Sequence, residues 1–153
     1  MRSKFLKNGK GTTIVEMALI LPVLCLLIFG MVDFALLLYD KAMITNASRE
    51  GARLGVVYRV SGPGAYSPPT NAEITSRVHQ YLQDTSGSGL LISFPGASST
   101  VNVVPNDGCQ TIGSGNPLLV TVTFTYKFLM LRNFLPGLVN PFNIQGNTSM
   151  VCE

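Results

Sequence analysis

Tryptophan is absent, histidine occurs once, and charged residues make up only 12% of the 153-residue chain. A charge fraction about half that of a soluble domain excludes a disordered acidic or basic tail and argues against an ordinary cytosolic enzyme. Lys and Arg number 11 against 8 Asp and Glu, so the net charge of +3 is too small and too scattered to line a nucleic-acid groove. Cysteine occurs three times, with no CxxC pair and no Cys/His cluster, which excludes the usual zinc spacings. The lone His79 lacks a Cys, His or acidic partner at ligand spacing and is expected to face solvent from its helix. Phosphate loops, nucleophile elbows and paired catalytic carboxylates are missing too. Neither a cofactor, a metal nor an enzymatic activity is expected.

What is present is an apolar run near the N-terminus. The first eleven residues carry Arg2, Lys4, Lys7 and Lys10 and no acid; Met17 to Val32 then carries no charge. That uncharged stretch is about 24 Å of helix, and counting on through Tyr39 gives roughly 34 Å, enough to cross a bilayer. The cationic end should stay in the cytoplasm and the remainder should be exported. A cleavable secretory signal needs a small-x-small site after its core, and the sequence there continues as LLLYDKAM. Lipidation at Cys25 is disfavoured by the large Leu24 before it. Pro22 should kink the helix near residues 18–22.

Glu16 does not suit a plain anchor, because a carboxylate in hydrocarbon costs about 2.5 kcal/mol or more near the centre. The string Gly11-Thr12-Thr13-Ile14-Val15-Glu16 resembles a type IV prepilin processing site: a short basic leader ending in glycine, with glutamate at the fifth position after the cut. The resemblance implies cleavage between Gly11 and Thr12. It also implies that Glu16 faces the new N-terminal ammonium of a neighbouring subunit and fixes the register of packed helices. Met17 stands where an aromatic residue commonly follows that glutamate.

Beyond Tyr39 the sequence DKAMITNASREGARLGVV keeps helical periodicity without proline. Ala47, Gly51 and Gly55 recur every four residues, a spacing that lets another backbone approach closely. Each glycine costs about 1 kcal/mol against alanine in a helix, so a packing reason is expected. The helix should run from about Thr13 to Val57, on the order of 65 Å. With Asn46-Ala47-Ser48-Arg49-Glu50-Gly51-Ala52-Arg53 as its most specific part, this segment resembles the TadE-like family, pseudopilins of bacterial tight-adherence pili. The resemblance covers about the first 57 residues. It implies a packing surface at Asn46, Ala47, Arg49, Glu50, Gly51 and Arg53, either for another pilin or for the chain's own head.

The rest should be that head. Val60–Pro69 reads as a loop, Thr70 to Glu73 as a capping box, and Asn71–Gln83 as an amphipathic helix. Leu90–Phe94 and Thr100–Val104 read as short strands. Pro117–Leu129 alternates strictly: Leu118, Val120, Val122, Phe124, Tyr126 and Phe128 share one face. Leu131–Pro141 reads as a loop and Asn143–Val151 as a closing strand. Cys109 and Cys152 are either a disulfide staple or two free thiols; a last segment paired beside the long strand would bring them together.

The fold class expected is therefore α+β: a long transmembrane and stem helix (12–57) after a basic leader (1–11), a linker (58–69), and a head (70–153) with one helix on a three- to four-stranded antiparallel sheet. The functional expectation is a minor pilin in the inner membrane with its head in the periplasm. Its partners would be other pilin subunits, a prepilin peptidase and an assembly platform. The alternative is a permanently anchored periplasmic binding or sensor module.

Overall fold

The computed structural model describes residues 9–83, 90–92, 99–128 and 142–153. Its architecture is the α+β arrangement expected, a long helix followed by a small head. Helix α1, Gly9–Val56, continues through Pro22. It starts four residues earlier than the sequence implies. Its last turn closes with Val57 N–H donating to Leu54 O.

The supposed loop after α1 is a hairpin, β1 Arg59–Gly62 and β2 Ala65–Ser67. The reason is Pro63-Gly64: proline pre-sets the first central residue of a turn, and Gly64 takes φ +80°, which the second central position of a type II turn requires. Val60 and Tyr66, both good strand formers, then sit opposite each other.

Helix α2, Asn71–Tyr81, begins at the expected capping box. Thr70 N–H donates to Glu73 Oε2 at 2.7 Å, and Glu73 N–H donates to Thr70 Oγ1 at 3.3 Å. The Thr70 N–H and then the Thr70 hydroxyl, both donating to Glu73 Oε2, hold the exposed Glu73 carboxyl below its ordinary pKa. Ile74 and Val78 form its buried stripe.

Strands β3 Ser99–Val104, β4 Pro117–Tyr126 and β5 Phe142–Val151 form one antiparallel sheet in the order β3-β4-β5. A short helix α3, Cys109–Ile112, joins β3 to β4. The β4 alternation is as read: Leu118, Val120, Val122, Phe124 and Tyr126 are buried, and Phe128 packs half-buried beside them. β4 stops at Tyr126, short of the expected Leu129, which lies outside the described residues.

The expected strand at Leu90–Phe94 is not seen at 90–92. Leu90 N–H turns back to Leu82 O at 2.8 Å, and Ile92 N–H donates to Asp40 Oδ1 at 2.9 Å, so these backbone donors leave no ladder. Phe94 lies outside the described residues, as do the turn Asp84–Gly89, the loop Leu131–Pro141 and most of the leader.

The core lies between the buried face of the sheet and two helices. The outer part of α1 covers β4 and β5, and α2 wedges against α1. From Ile14 to Val32, by contrast, α1 is exposed apart from the half-buried Cys25, Phe29 and Gly30: Leu19 is 73% exposed and Met31 69%. One helix thus carries two environments, and the change comes at Asp33.

Candidate functional site

The N-terminal end of α1 is open at the sequence-predicted cleavage string. Gly11, Thr12 and Glu16 all lie on α1 and are exposed in the single chain. A Cβ on Gly11 would meet nothing within 4 Å among the described residues. Thr12 and Glu16 are one helical turn apart and share a face. The apolar helix that follows is long enough to be a membrane span.

The stem residues divide into two sets. Ala47, Ser48, Gly51, Ala52 and Gly55 are buried, and what buries them is the chain's own head. A Cβ on Gly51 would stand 2.5 Å from Val78 Cγ2 of α2, and one on Gly55 would overlap Leu118 Cδ2 of β4. The four-residue spacing of small residues therefore exists to admit α2 and β4. Ser48 Oγ donates to Thr45 O at 2.8 Å and shares a 2.7 Å hydrogen bond with Thr148 Oγ1 of β5. Opposite that point, Gly146 lies against the backbone of Ile44 and Thr45.

Asn46, Arg49 and Arg53 form the other set, exposed and away from this core. Glu50 stands between the two: its Oε1 accepts from Arg77 Nη2 at 2.8 Å and Nε at 3.2 Å, tying α1 to α2. Glu50, Arg53, Leu54 and Arg77 line an open groove between the two helices.

By sequence Asp33 interrupts the apolar run and Asp40 belongs to a polar helix face, yet both acids are fully buried, because the head folds over that face. Asp33 and Asp40, seven residues apart on one face of α1, lie under the head. Tyr126 Oη donates to the Asp33 carbonyl at 3.2 Å, and its ring meets Phe128 edge-on with centroids 5.3 Å apart. Burial pushes the Asp40 carboxyl up to about 6, against the lowering effect of the Ile92 N–H. Its second oxygen has no hydrogen-bond partner among the described residues. Burial, with the nearby negative charges of Asp33 and Asp40, pushes the Tyr126 phenol up to about 12. The signal in the sequence was Asp33 breaking the apolar run, with Asp40 two turns on. Beside them Lys41 donates from Nζ to the Gln145 carbonyl of β5.

Cys109 and Cys152 form a disulfide with Cα atoms 5.7 Å apart, while Cys25 is free. The staple joins α3 to the segment after β5, where Cys152 N–H donates to Asn116 O at 2.9 Å and Gly115 N–H to Cys152 O at 2.9 Å.

Such an arrangement offers an apolar rod continuous with a head-braced stem, and this part of the chain is similar to a known family. Residues 11–53 match the family model described as TadE-like protein. The TadE-like match opens at Gly11 and closes at Arg53, so it spans the Gly11–Glu16 string, the apolar run and the stem motif, and leaves out the sheet. Neither the curated proteins nor the solved structures yield a match to the chain. A TadE-like segment on an apolar N-terminal helix is consistent with a protein associated with a tight-adherence pilus and with anchoring in a membrane.

Proposed function

We propose that this chain is a minor pilin, or pseudopilin, of a bacterial tight-adherence pilus, and that it acts by packing rather than by catalysis. The observation that carries the reading is the position of Gly11 and Glu16, five residues apart, at the head of an apolar helix segment whose residues 11–24 are exposed. Such a segment needs lipid, or neighbouring helices once the subunit leaves the bilayer.

In this account the basic leader holds the N-terminus in the cytoplasm and the head stands in the periplasm, single-pass from the inner membrane. The Cys109–Cys152 bridge suits that oxidising compartment. A prepilin peptidase cuts between Gly11 and Thr12. The leader's positive charges leave, and Thr12 gains an ammonium. In low dielectric that ammonium and the Glu16 carboxylate each need a partner. Pairing between neighbouring subunits on the assembly platform satisfies both and sets the helix stagger.

Replacing Glu16 by Ala separates this reading from a permanent anchor or sensor. The variant should insert and be processed, yet be missing from purified filaments. An E16A chain that assembles at wild-type level overturns the proposal.

A further inference from the structure

The groove between the outer end of α1 and α2 is unused by the assembly mechanism above. Its volume is about 680 Å³. Leu54, Val57 and Ala72 give it an apolar floor, and Arg53, Arg59 and Arg77 give it cationic lips. Two acids also line it, but both are engaged within the chain. Glu50 holds Arg77 through Oε1. Glu73 closes the capping box through Oε2, and its Oε1 lies 4.0 Å from Arg59. Arg53 is exposed and has no ionic or hydrogen-bonding partner among the described residues. With Arg77 set against Glu50 and Arg59 against Glu73, the groove keeps one net positive charge, carried by Arg53, over an apolar floor.

Its position narrows the occupant. Arg53 lies about 30 Å along the helix axis from Val32, where the mostly exposed apolar segment ends. That is several Debye lengths at physiological ionic strength, so headgroups at the bilayer surface exert little pull there. Its shape narrows it further. The lining extends along α1 from Glu50 to Val57 and along α2 from Ala72 to Gln80, about two turns on each helix. That elongated form, with separated guanidinium groups, suits a peptide segment better than a lone ion.

We propose that this groove is a docking site for an acidic amphipathic segment of another protein, whose apolar side rests on Leu54 and Val57 while its carboxylates meet Arg53 and compete with Glu73 for the loosely held Arg59. Guanidinium groups suit this because each offers a planar pair of donors to a carboxylate. The site is remote from Glu16 and does not depend on leader cleavage.

The test uses the full chain in nanodiscs of zwitterionic lipid. The probe is a fluorescent amphipathic helical peptide of about 15 residues with Glu on its polar face, compared with the same peptide carrying Lys. Fluorescence anisotropy should show binding of the Glu peptide only, weakened at least tenfold by Arg53→Glu with Arg59→Glu and retained by Arg53→Lys. Ser76→Glu, which adds an acid to the groove without breaking a pair, should weaken it too and covers the case in which the double variant misfolds. Glu16→Ala should bind like wild type, so a failure of the assembly reading and a failure of this one are told apart. Undiminished binding in the variants, equal binding of the Lys peptide, displacement by inorganic phosphate, or binding of anionic vesicles through Arg53 would each overturn the proposal.

Discussion

Gly146→Ala is the sharpest single test of how the head grips the stem. A Cβ at Gly146 would lie 2.7 Å from the Ile44 carbonyl oxygen, 2.8 Å from its carbon and 2.9 Å from Thr45 Cα. Ordinary carbon contacts sit near 3.5–4.0 Å, so the overlap approaches 1 Å, and every atom involved is backbone. No rotamer change relieves it; β5 and α1 must move apart. Overpacking of that kind costs about 1–3 kcal/mol, and the fixed backbone puts this site toward the upper end. Alanine returns about 0.4–1 kcal/mol by restricting the unfolded chain, which leaves a net loss of about 2 kcal/mol.

Gly51→Ala makes the contrast. Its Cβ meets a Val78 methyl at 2.5 Å and only side-chain atoms beyond it, so a small displacement of α2 relieves the contact without parting two backbones, and alanine regains about 1 kcal/mol of helix propensity. Its net effect should stay within about 1 kcal/mol of wild type. The assay is thermal melting of the full chain in micelles, followed by near-UV circular dichroism of the tyrosines, since there is no tryptophan. At roughly 4–8 °C per kcal/mol for a domain near this size, Gly146→Ala should melt about 10 °C lower and Gly51→Ala within a few degrees. Equal losses from the two variants, or a Gly146→Ala chain indistinguishable from wild type, would refute the packing described here.

Two further outcomes follow from the buried groups. Asp40 has its carboxyl raised from 3.8 to about 6 in the folded chain, so its contribution favours folding below about pH 4 and is lost as pH rises through about 6. Asp40→Asn should therefore melt higher than wild type at pH 7.5, on the order of 1–2 kcal/mol more stable, with the gap closing near pH 4; a constant gap across that range would remove Asp40 as its cause. Reducing the Cys109–Cys152 bridge, which spans 43 residues, should lower stability by about 3–4 kcal/mol in the chain-entropy model. Maleimide labelling of the denatured, unreduced chain should tag Cys25 alone, and a second or third label would show an open bridge.

What was legible in the sequence, and what was not, divides along the range of the interactions. The β4 alternation and the Thr70–Glu73 box are local patterns, and the structure bears both out. Ala47, Gly51 and Gly55 announced a close approach, but nothing local could tell a neighbouring subunit from the chain's own α2 and β4. The hairpin at Arg59–Ser67 was masked by its Gly and Pro content, although Pro63-Gly64 is the turn that makes it. Asp33 and Asp40 looked like polar interruptions of an apolar helix. Their burial depends on Tyr126 and on residues 90–92, far along the chain, and no local pattern encodes that. For the same reason the apolar run read through to Tyr39 as one span, whereas the head already occupies one face from Asp33. Of the candidate site, Gly11, Glu16 and the disulfide pair came from the sequence. The groove did not, because it exists only once α2 folds back beside α1.

The central claim is that the N-terminal leader is removed to create an amine for Glu16. Intact-mass spectrometry of the protein purified from cells with an active prepilin peptidase measures this directly. The account predicts a mature chain beginning at Thr12, and the full-length chain in cells lacking the peptidase. A chain that still begins at Met1 in the presence of the enzyme, or one cut beyond Val32, would contradict it.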